Sequence, residues 1–391
     1  MYLNIMVKKS EKIEASIMFG SFLDTLGFKN GSWEFNYQIE INNLMVNTRV
    51  WNRMLHHFLI LGGPHLIDLT NWNASDDTLM ILATGEAIID AKIEGSSEDS
   101  YKKKYVDYYD LLLDEKRASG INTIEMLKLL KRNAKIPSSD NMGGNGAAMR
   151  TGPIGLVWHN NIDKVIQESI IASRLTHNYY LGYLGGMVTA LFTAFAMNGV
   201  EPWFWCDELI KLHQNKTIHK YYPPEHKESD LDDYINYWKR YKEIRLSKLK
   251  FKNSLDSFIY PEDRLELLLG FFPNPRIKNI IIKGQSLKGF PFDWGRVGST
   301  GLDVCIYAYD CLLMSITTPG SKTIDFDNVV YSWDTFCTLV AVHPGDNDST
   351  ASVGGTWYGA LLGYNGFDKD RMKQLEFYKD LKKMSDKLIS L

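Results

Sequence analysis

The sequence Gly-Asp-Asn-Asp-Ser-Thr at positions 345–350 decides how the rest of the chain is interpreted. It places two carboxylates, Asp346 and Asp348, and two hydroxyl groups in one short turn inside an apolar stretch. The following segment, Gly-Gly-Thr-Trp-Tyr-Gly-Ala-Leu-Leu-Gly at positions 354–363, has the small residues typical of a buried, closely packed helix. Ionised carboxylates are costly beside such a helix unless a cation or a helix N-terminus compensates their charge. The pattern therefore predicts a charged site at the start of a core helix.

A second acidic cluster, Ser-Asp-Asp-Thr at positions 75–78, opens another apolar run far earlier in the chain. At the first turn of a helix, Asp76 and Asp77 can both reach one site, with Ser75 as the N-cap. Either cluster alone is more simply explained as a helix cap or a turn. Two such clusters, each flanked by hydroxyls and each starting a helix, predict one metal site built from both ends of the chain.

The ligand chemistry of the two clusters narrows the choice of metal. Carboxylates and hydroxyls are hard oxygen donors that suit Mg²⁺, Mn²⁺ or Ca²⁺. No histidine pair at metal-ligand spacing accompanies either cluster, which disfavours zinc. Four clustered aspartates would repel one another strongly, so two divalent ions are the natural number.

Composition sets broader bounds. A chain of 391 residues can bury a large core, and it could hold two or three domains or one large helical domain. The net charge of −3 argues against general nucleic-acid binding, which needs a basic surface. The four cysteines show no CxxC spacing and lie among apolar neighbours, so we interpret them as reduced core residues of a cytoplasmic protein. We expect no membrane association and a monomeric protein.

Helical periodicity dominates the sequence and predicts an all-α fold. Apolar residues recur at three- and four-residue spacing, or fill the segment, in 13–26, 78–91, 100–113, 122–130, 161–175, 181–198 and 357–364. The alternation needed for βαβ units is missing. The uncharged segment 179–200 is long enough to span a bilayer, but a buried core helix is the better interpretation because the mean hydropathy is −0.23 and no second span exists. The polar segment at about 207–290 is interpreted as peripheral helices and loops of a single domain, and a separate domain is the alternative.

Three further elements carry weaker signals. The glycine-rich loop at 143–146, before a helix, would let backbone N–H groups approach an anion such as a diphosphate, although many such loops are only connections. His177 precedes a helix, where a histidine is more often a hydrogen-bonded structural residue than a ligand-binding one. Glu34 lies between Trp33 and Phe35 after a glycine. A carboxylate so placed is either a mobile acid or base, or a surface residue beside a turn.

These elements, in this order, resemble the ADP-ribosylglycohydrolase family over most of the chain. The most specific part is Gly-Asp-x-Asp-Ser together with the distant Asp-Asp-Thr, and the Asn-Gly-x-Trp-Glu-Phe segment at 30–35 is most like the ADP-ribosylarginine hydrolase branch. The other matching segments are 22–29, 144–150, 174–177, 182–185, 307–310 and 343–344.

The resemblance implies a compact orthogonal helical bundle with two Mg²⁺ ions between helices, Mn²⁺ being possible. By motif match, one ion would be held by Ser75, Asp76, Asp77 and Asp348, and the other by Asp346, Asp348 and Ser349. The proposed catalytic residues are Glu34, near the scissile bond, and Asp76 or Asp77, activating water or the ribose. The predicted substrate-binding residues are Gly144, Asn145, Gly146 and Ala147 for the diphosphate, assisted by His177, and the ribose-contacting turn Ser299, Thr300 and Gly301.

The resemblance further implies Mg²⁺-dependent hydrolysis of the N-glycosidic bond between ADP-ribose and arginine on modified proteins, with ADP-ribose as the product. Within the same class, ADP-ribosylserine or a small ADP-ribosylated metabolite is an alternative substrate. A non-catalytic ADP-ribose-binding protein is an alternative from another class. A bimetallic phosphatase or nuclease is a third, disfavoured because such sites commonly use histidines or carboxylates at a different spacing.

Overall fold

Helices make up most of the computed structural model, which describes residues 7–35, 44–95, 97–246, 279–282, 285–288, 297–319, 321, 324–343 and 345–391. Numbered along this described part of the chain, the α-helices are α1 Lys9–Phe28, α2 Leu44–Ile60, α3 Gly63–Leu66, α4 Asp76–Glu94, α5 Ser97–Asp107, α6 Tyr109–Leu112, α7 Ile121–Leu130, α8 Gly152–Trp158, α9 Ile162–Arg174, α10 Tyr180–Met197, α11 Pro202–Gln214, α12 Glu228–Ile244, α13 Asp303–Met314, α14 Trp333–Ala341, α15 Asn347–Leu362 and α16 Tyr378–Ile389. The predicted all-α class is confirmed.

Short 3₁₀ helices and two small hairpins complete the described elements. The 3₁₀ helices are Glu115–Arg117, Asp140–Met142, Ala148–Arg150, Ile218–Lys220 and Lys369–Gln374. The strands β1 Asn279–Ile282 and β2 Gln285–Lys288 form one antiparallel pair, and β3 Ile316–Thr317 and β4 Val330–Tyr331 form another. Of the predicted polar segment 207–290, residues 207–246 and the first hairpin are described, and the rest lies outside the described residues.

Most predicted helices are present with shifted ends. Helix α15 begins at Asn347, ten residues before the predicted start, and ends at Leu362. The predicted helix 100–113 is divided, because α5 ends at Asp107 and α6 begins at Tyr109. The early start of α15 matters most, since it places the Asp-Asn-Asp-Ser sequence in the first turn of a helix that lies in the core.

Helices α1 and α15 approach each other closely because glycines line their contact. A Cβ atom at Gly359 would lie 2.4 Å from the carbonyl oxygen of Ala15, and one at Gly355 would lie 2.4 Å from that of Phe19. Towards the other end of the contact, a Cβ at Gly27 would lie 2.6 Å from the carbonyl oxygen of Asn347. Only glycine permits this backbone-to-backbone spacing, which brings the C-terminal half of α1 against the first turn of α15.

Helix α10, Tyr180–Met197, is the apolar segment that resembles a membrane span. By length and composition it could cross a bilayer, but 94% of it is buried inside the protein. Its backbone also accepts a hydrogen bond from another core residue, because the indole N–H of Trp357 donates to the carbonyl oxygen of Thr189 at 3.0 Å. Helix α10 therefore packs as a core helix, as predicted from the sequence.

We expect Gly359→Ala to lower the free energy of unfolding by about 1–3 kcal/mol, because the added Cβ meets backbone that cannot move aside without shifting α1 against α15. Gly354→Ala is the matched control in the same helix, since its Cβ would meet side-chain atoms of Val340 and Phe336 and not backbone. Urea unfolding of both variants provides the measurement. A loss no larger in Gly359→Ala than in the control would contradict the packing argument.

Candidate active site

The N-termini of helices α4 and α15 meet at the centre of the candidate site. Ser75 caps α4 by accepting a hydrogen bond from the backbone N–H of Asp77 at 3.1 Å, as its position before the aspartates predicts. The hydroxyl of Ser349, in the first turn of α15, donates to Asp77 Oδ1 at 3.4 Å. Asp76, Asp77, Asp346 and Asp348 are all buried. The structure therefore joins the two acidic clusters, which lie about 270 residues apart in the sequence.

Glu34 reaches the same cluster from the segment after α1. One carboxylate oxygen each of Glu34, Asp346 and Asp348 lie within 4.8 Å of one another, close enough to share a cation. The backbone N–H of Phe35 donates to the carbonyl oxygen of Gly345 at 3.1 Å, which ties this segment to the loop before α15. Trp33, beside Glu34, is buried. Glu34 is thus held over the acidic cluster and is not a surface residue beside a turn.

Asp24 is a buried carboxylate of the site that sequence analysis did not select. Its Oδ1 accepts from the Ser75 hydroxyl at 2.6 Å. Its Oδ2 accepts from the backbone N–H of Thr78 at 3.2 Å and also from the Thr78 hydroxyl. Asp24 therefore fixes the first turn of α4 onto α1. The signal in the sequence was a single carboxylate within the otherwise uncharged run from positions 15 to 28.

Burial raises the pKa of every carboxyl group in the cluster. Burial, and then the charge of Asp348, raise the pKa of Asp24 to about 7 and the pKa values of Asp76, Asp77 and Glu34 well above their usual range. Burial also raises the pKa of Asp346 to about 6. Within the described residues none of these groups forms an ion pair with lysine or arginine, so no cationic side chain compensates the cluster when it is ionised.

The donor set fits divalent cations. Asp77 Oδ2 is buried and has no hydrogen-bond partner among the described residues, which leaves an acceptor available for a ligand. The neighbouring groups are carboxylates and hydroxyls, the donors that hard cations prefer. The residues able to hold such cations are Ser75, Asp76, Asp77, Asp346, Asp348, Ser349 and Glu34, the last of which was predicted only as a catalytic residue.

Two distant segments, the glycine-rich loop and the turn after residue 297, pair with each other beside the acidic cluster. The backbone N–H of Asn145 donates to the carbonyl oxygen of Ser299 at 3.2 Å. The backbone N–H of Gly301 donates to the carbonyl oxygen of Gly143 at 3.1 Å. The Asn145 side chain donates to Asp346 Oδ2 at 2.9 Å. The predicted diphosphate loop and ribose turn are therefore brought to the edge of the acidic cluster, and Asn145 connects them to it.

His177 packs against this glycine-rich loop. A Cβ at Gly146 would lie 2.6 Å from its ring, so only glycine allows the observed contact there, whereas a Cβ at Gly144 would lie 3.4 Å away at an ordinary contact distance. Its Nδ1 is 2.8 Å from the Thr176 hydroxyl. Burial, and then the charge of Arg150, lower the pKa of His177 to about 3. The imidazole is neutral at physiological pH and supports the loop through packing, and its predicted contact with the diphosphate would be uncharged.

Asp303 is a second functional residue that sequence analysis did not select. Its carboxylate accepts from the backbone N–H groups of Gly298 at 3.0 Å and Thr300 at 2.7 Å, and from the Thr300 hydroxyl at 2.7 Å. In return, the Thr300 hydroxyl accepts from the Asp303 backbone N–H at 3.2 Å. This reciprocal pair holds the turn in shape. The Thr-x-x-Asp spacing at the start of an apolar run was the signal available in the sequence.

We expect the stability of the cation-free protein to fall as pH rises from about 4 to about 7. A carboxyl group with a raised folded-state pKa binds more protons when folded than when unfolded, so the free energy of unfolding decreases with pH through this window. Mg²⁺ should remove most of that loss at the upper end. Urea unfolding between about pH 4 and pH 7, in EDTA and in Mg²⁺, measures this change in the free energy of unfolding. Superimposable pH profiles in the two solutions would argue against a compensating cation.

Comparison with known proteins places this site in a family. The ADP-ribosylglycohydrolase family model matches residues 17–391. The chain is 29% identical over 403 residues to ADP-ribosylhydrolase ARH1 of Dictyostelium discoideum, covering 94% of this chain and 91% of that protein. It is 30% identical over 360 residues to a protein of Acanthamoeba polyphaga mimivirus named as an ADP-ribosyl glycohydrolase, covering 88% of this chain and 62% of that protein.

A solved structure supports the fold alone. The chain shares a TM-score of 0.56 at 14% identity with a structure titled "ADP-ribosylglycohydrolase-related protein complex", covering 98% of each chain. The family match extends over both acidic clusters, the glycine-rich loop and the turn at 298–301. This chain belongs to the ADP-ribosylglycohydrolase family, whose members act on ADP-ribosylated substrates, hydrolyse glycosidic bonds and use divalent metals.

Proposed function

We propose that this protein is a Mg²⁺-dependent hydrolase that releases ADP-ribose from arginine residues of modified proteins. The single observation that carries the proposal is the position of Asn145. Its backbone belongs to the glycine-rich loop suited to a diphosphate, and its side chain donates to Asp346 in the acidic cluster at 2.9 Å. A ligand with a diphosphate on the loop would therefore place an attached ribose beside the carboxylates.

The acidic cluster suits cleavage of a glycosidic bond. Departure of the acceptor leaves an oxocarbenium-like ribose, whose positive charge nearby carboxylates stabilise. Divalent cations bound here would supply positive charge that orients the ribose hydroxyls and promotes ionisation of water. Asp76 or Asp77 is proposed to activate water or the ribose, and Glu34 to lie near the scissile bond.

The charge of the site favours a cationic acceptor. Six buried or partly buried carboxyl groups contribute to the cluster: Asp24, Glu34, Asp76, Asp77, Asp346 and Asp348. Two divalent cations would not neutralise all six when they are ionised, and the remaining negative charge would attract a guanidinium group. A serine acceptor is neutral and gains nothing from that charge. The resemblance of segment 30–35 to the arginine branch points the same way.

Mg²⁺ is the proposed metal and Mn²⁺ the alternative, because carboxylates and hydroxyls are oxygen donors that suit both ions and the acidic group that includes Glu34 offers no imidazole among the described residues. The proposed partners are ADP-ribosylated proteins, and ADP-ribose is the proposed product. Nucleic acids and membranes are not among the proposed partners. The enzyme is proposed to act as a monomer.

A cytoplasmic location is proposed from the state of the cysteines. Cys206, Cys305, Cys311 and Cys337 are all buried, and their thiols are reduced in the structure. Burial raises the pKa values of the thiols of Cys206, Cys305 and Cys337, so they remain protonated and unreactive at physiological pH. Buried reduced thiols suit a reducing compartment.

We expect Asp346→Asn/Asp348→Asn to abolish turnover while leaving the protein folded. The substitutions remove two carboxylates from the cluster without changing side-chain volume. Asp368→Asn/Asp370→Asn is the matched control, with the same spacing at exposed positions. Release of ADP-ribose, circular dichroism and thermal unfolding of each variant are the measurements. Full activity of the cluster variant would remove the assignment of the metal site.

We expect release of ADP-ribose from an arginine-modified protein in Mg²⁺, and none in EDTA, because the uncompensated carboxylates need a cation. Release of ADP-ribose from a serine-modified protein, assayed in parallel, should be at least about tenfold slower, a difference of about 1.4 kcal/mol in activation free energy. Repeating the assay with Mn²⁺ ranks the two metals. Preferred release from serine would keep the family and overturn the acceptor. Binding of ADP-ribose without release from either protein would overturn hydrolysis.

A further inference from the structure

A second cluster of metal-ligating side chains lies in the polar part of the chain, on elements separate from the acidic site. His213 is in the last turn of α11, and His219 is in the 3₁₀ helix that follows. Glu228 and Asp232 are one helical turn apart at the start of α12, so they lie on the same face of that helix. These four residues are called the His-Asp cluster below. Neither the family resemblance nor the acidic site uses them.

The geometry of the His-Asp cluster brings its donors together. One ligand atom each of His213, His219 and Asp232 lie within 4.8 Å of one another. His213 Nε2 is 2.8 Å from Asp232 Oδ1, and His219 Nε2 is 3.1 Å from Glu228 Oε1. The two imidazole rings have centroids 4.9 Å apart. Two imidazoles and the Asp232 carboxylate therefore converge within the span of a single coordination sphere, and Glu228 contacts one of the imidazoles.

Both histidines have a nitrogen that the protein leaves unpaired. Among the described residues, neither His213 Nδ1 nor His219 Nδ1 has a hydrogen-bond partner, although both atoms are buried. His213 is only 9% exposed, so water does not readily satisfy it. A buried unsatisfied nitrogen is destabilising unless a ligand satisfies it. Since no second hydrogen bond fixes the tautomer, either nitrogen of each ring can carry the lone pair that a ligand needs.

We propose that His213, His219, Asp232 and Glu228 form a Zn²⁺ site. Imidazole nitrogens and carboxylate oxygens, four in number, match the tetrahedral coordination that zinc adopts in proteins. Imidazole suits zinc better than it suits Mg²⁺ or Ca²⁺, so this site and the acidic cluster should select different metals. The proposal does not depend on the substrate of the acidic site.

Lys216 supplies the competing explanation for the cluster. Its Nζ is 3.0 Å from both His219 Nε2 and Glu228 Oε1, so an ammonium group partly occupies the position of a cation. The Lys216 side chain is 64% exposed and can swing into solvent. An exposed ion pair of lysine contributes little stability, less than zinc coordination supplies. Lys216 should therefore weaken zinc binding without preventing it.

The proposed zinc would fix helix α12 in a position that matters for the acidic site. It would join the end of α11, the 3₁₀ helix and the start of α12. Two residues beyond Asp232, the hydroxyl of Tyr234 donates to the carbonyl oxygen of Gly301 at 3.4 Å. Gly301 ends the turn that pairs with the glycine-rich loop. Zinc binding would therefore support that turn from the outside.

The test measures zinc binding to the full chain carrying Asp346→Asn/Asp348→Asn, so that the acidic cluster does not contribute. Competition with a zinc-responsive dye should show one bound Zn²⁺. Adding His219→Gln/Asp232→Asn should weaken it at least about tenfold, because even outer-shell changes cost that much. Adding His65→Gln/Asp334→Asn, an exposed His–Asp pair, should leave it unchanged. Adding Lys216→Met should strengthen it.

Cobalt(II) provides a second readout, since tetrahedral coordination gives intense visible absorption that the His219→Gln/Asp232→Asn protein should lack. Circular dichroism checks folding, and Glu228→Gln, at an exposed position, replaces the double variant if that variant fails to fold. Equal zinc affinity in the parent and the ligand variant would overturn the proposal. Absence of bound zinc in the folded parent would also overturn it.

Discussion

The rest of the structure depends on burying several carboxyl groups together. Asp24, Asp76, Asp77, Asp346 and Asp348 are at most 7% exposed, in surroundings that favour their neutral forms. Such a cluster is tolerable only if helix N-termini, hydroxyl donors and cations share its charge. The fold supplies the first two: α4 and α15 both begin at the cluster, and Ser75, Thr78 and Asn145 donate to its carboxylates. The need for cations connects the fold to a metal-dependent activity.

The sequence predicts the parts of the site that are local. The Ser75 cap with two aspartates in the first turn of α4 follows from short-range spacing and is present. The distant Asp346 and Asp348 could be joined to them because both clusters share an unusual composition, carboxylates beside hydroxyls at the start of an apolar run. The glycine-rich loop was identifiable because its residues allow close approach, and Gly144 and Gly146 do contact His177.

The remaining parts depend on tertiary packing that periodicity does not encode. Asp24 looks like an interruption of an apolar helix until Ser75 and Thr78 are found beside it. Helix α15 begins ten residues before its predicted start, because the low helix propensity of Gly354 and Gly355 is outweighed by packing of Gly354 against α14 and of Gly355 against α1. The segment with Glu34 offered two interpretations, and a backbone hydrogen bond from Phe35 to Gly345 decides between them.

The contact between α1 and α15 has a consequence for synthesis of the protein. Because Gly27 lies against Asn347, and Ser349 against Asp77, the site combines residues from the first part of the sequence with residues at least 272 positions later. A growing polypeptide lacks the main packing partner of α1 until α15 has left the ribosome. Contacts of such long sequence separation slow folding and prolong exposure of apolar surface. Nascent chains of this protein should therefore be good clients for chaperones that shield N-terminal segments during translation.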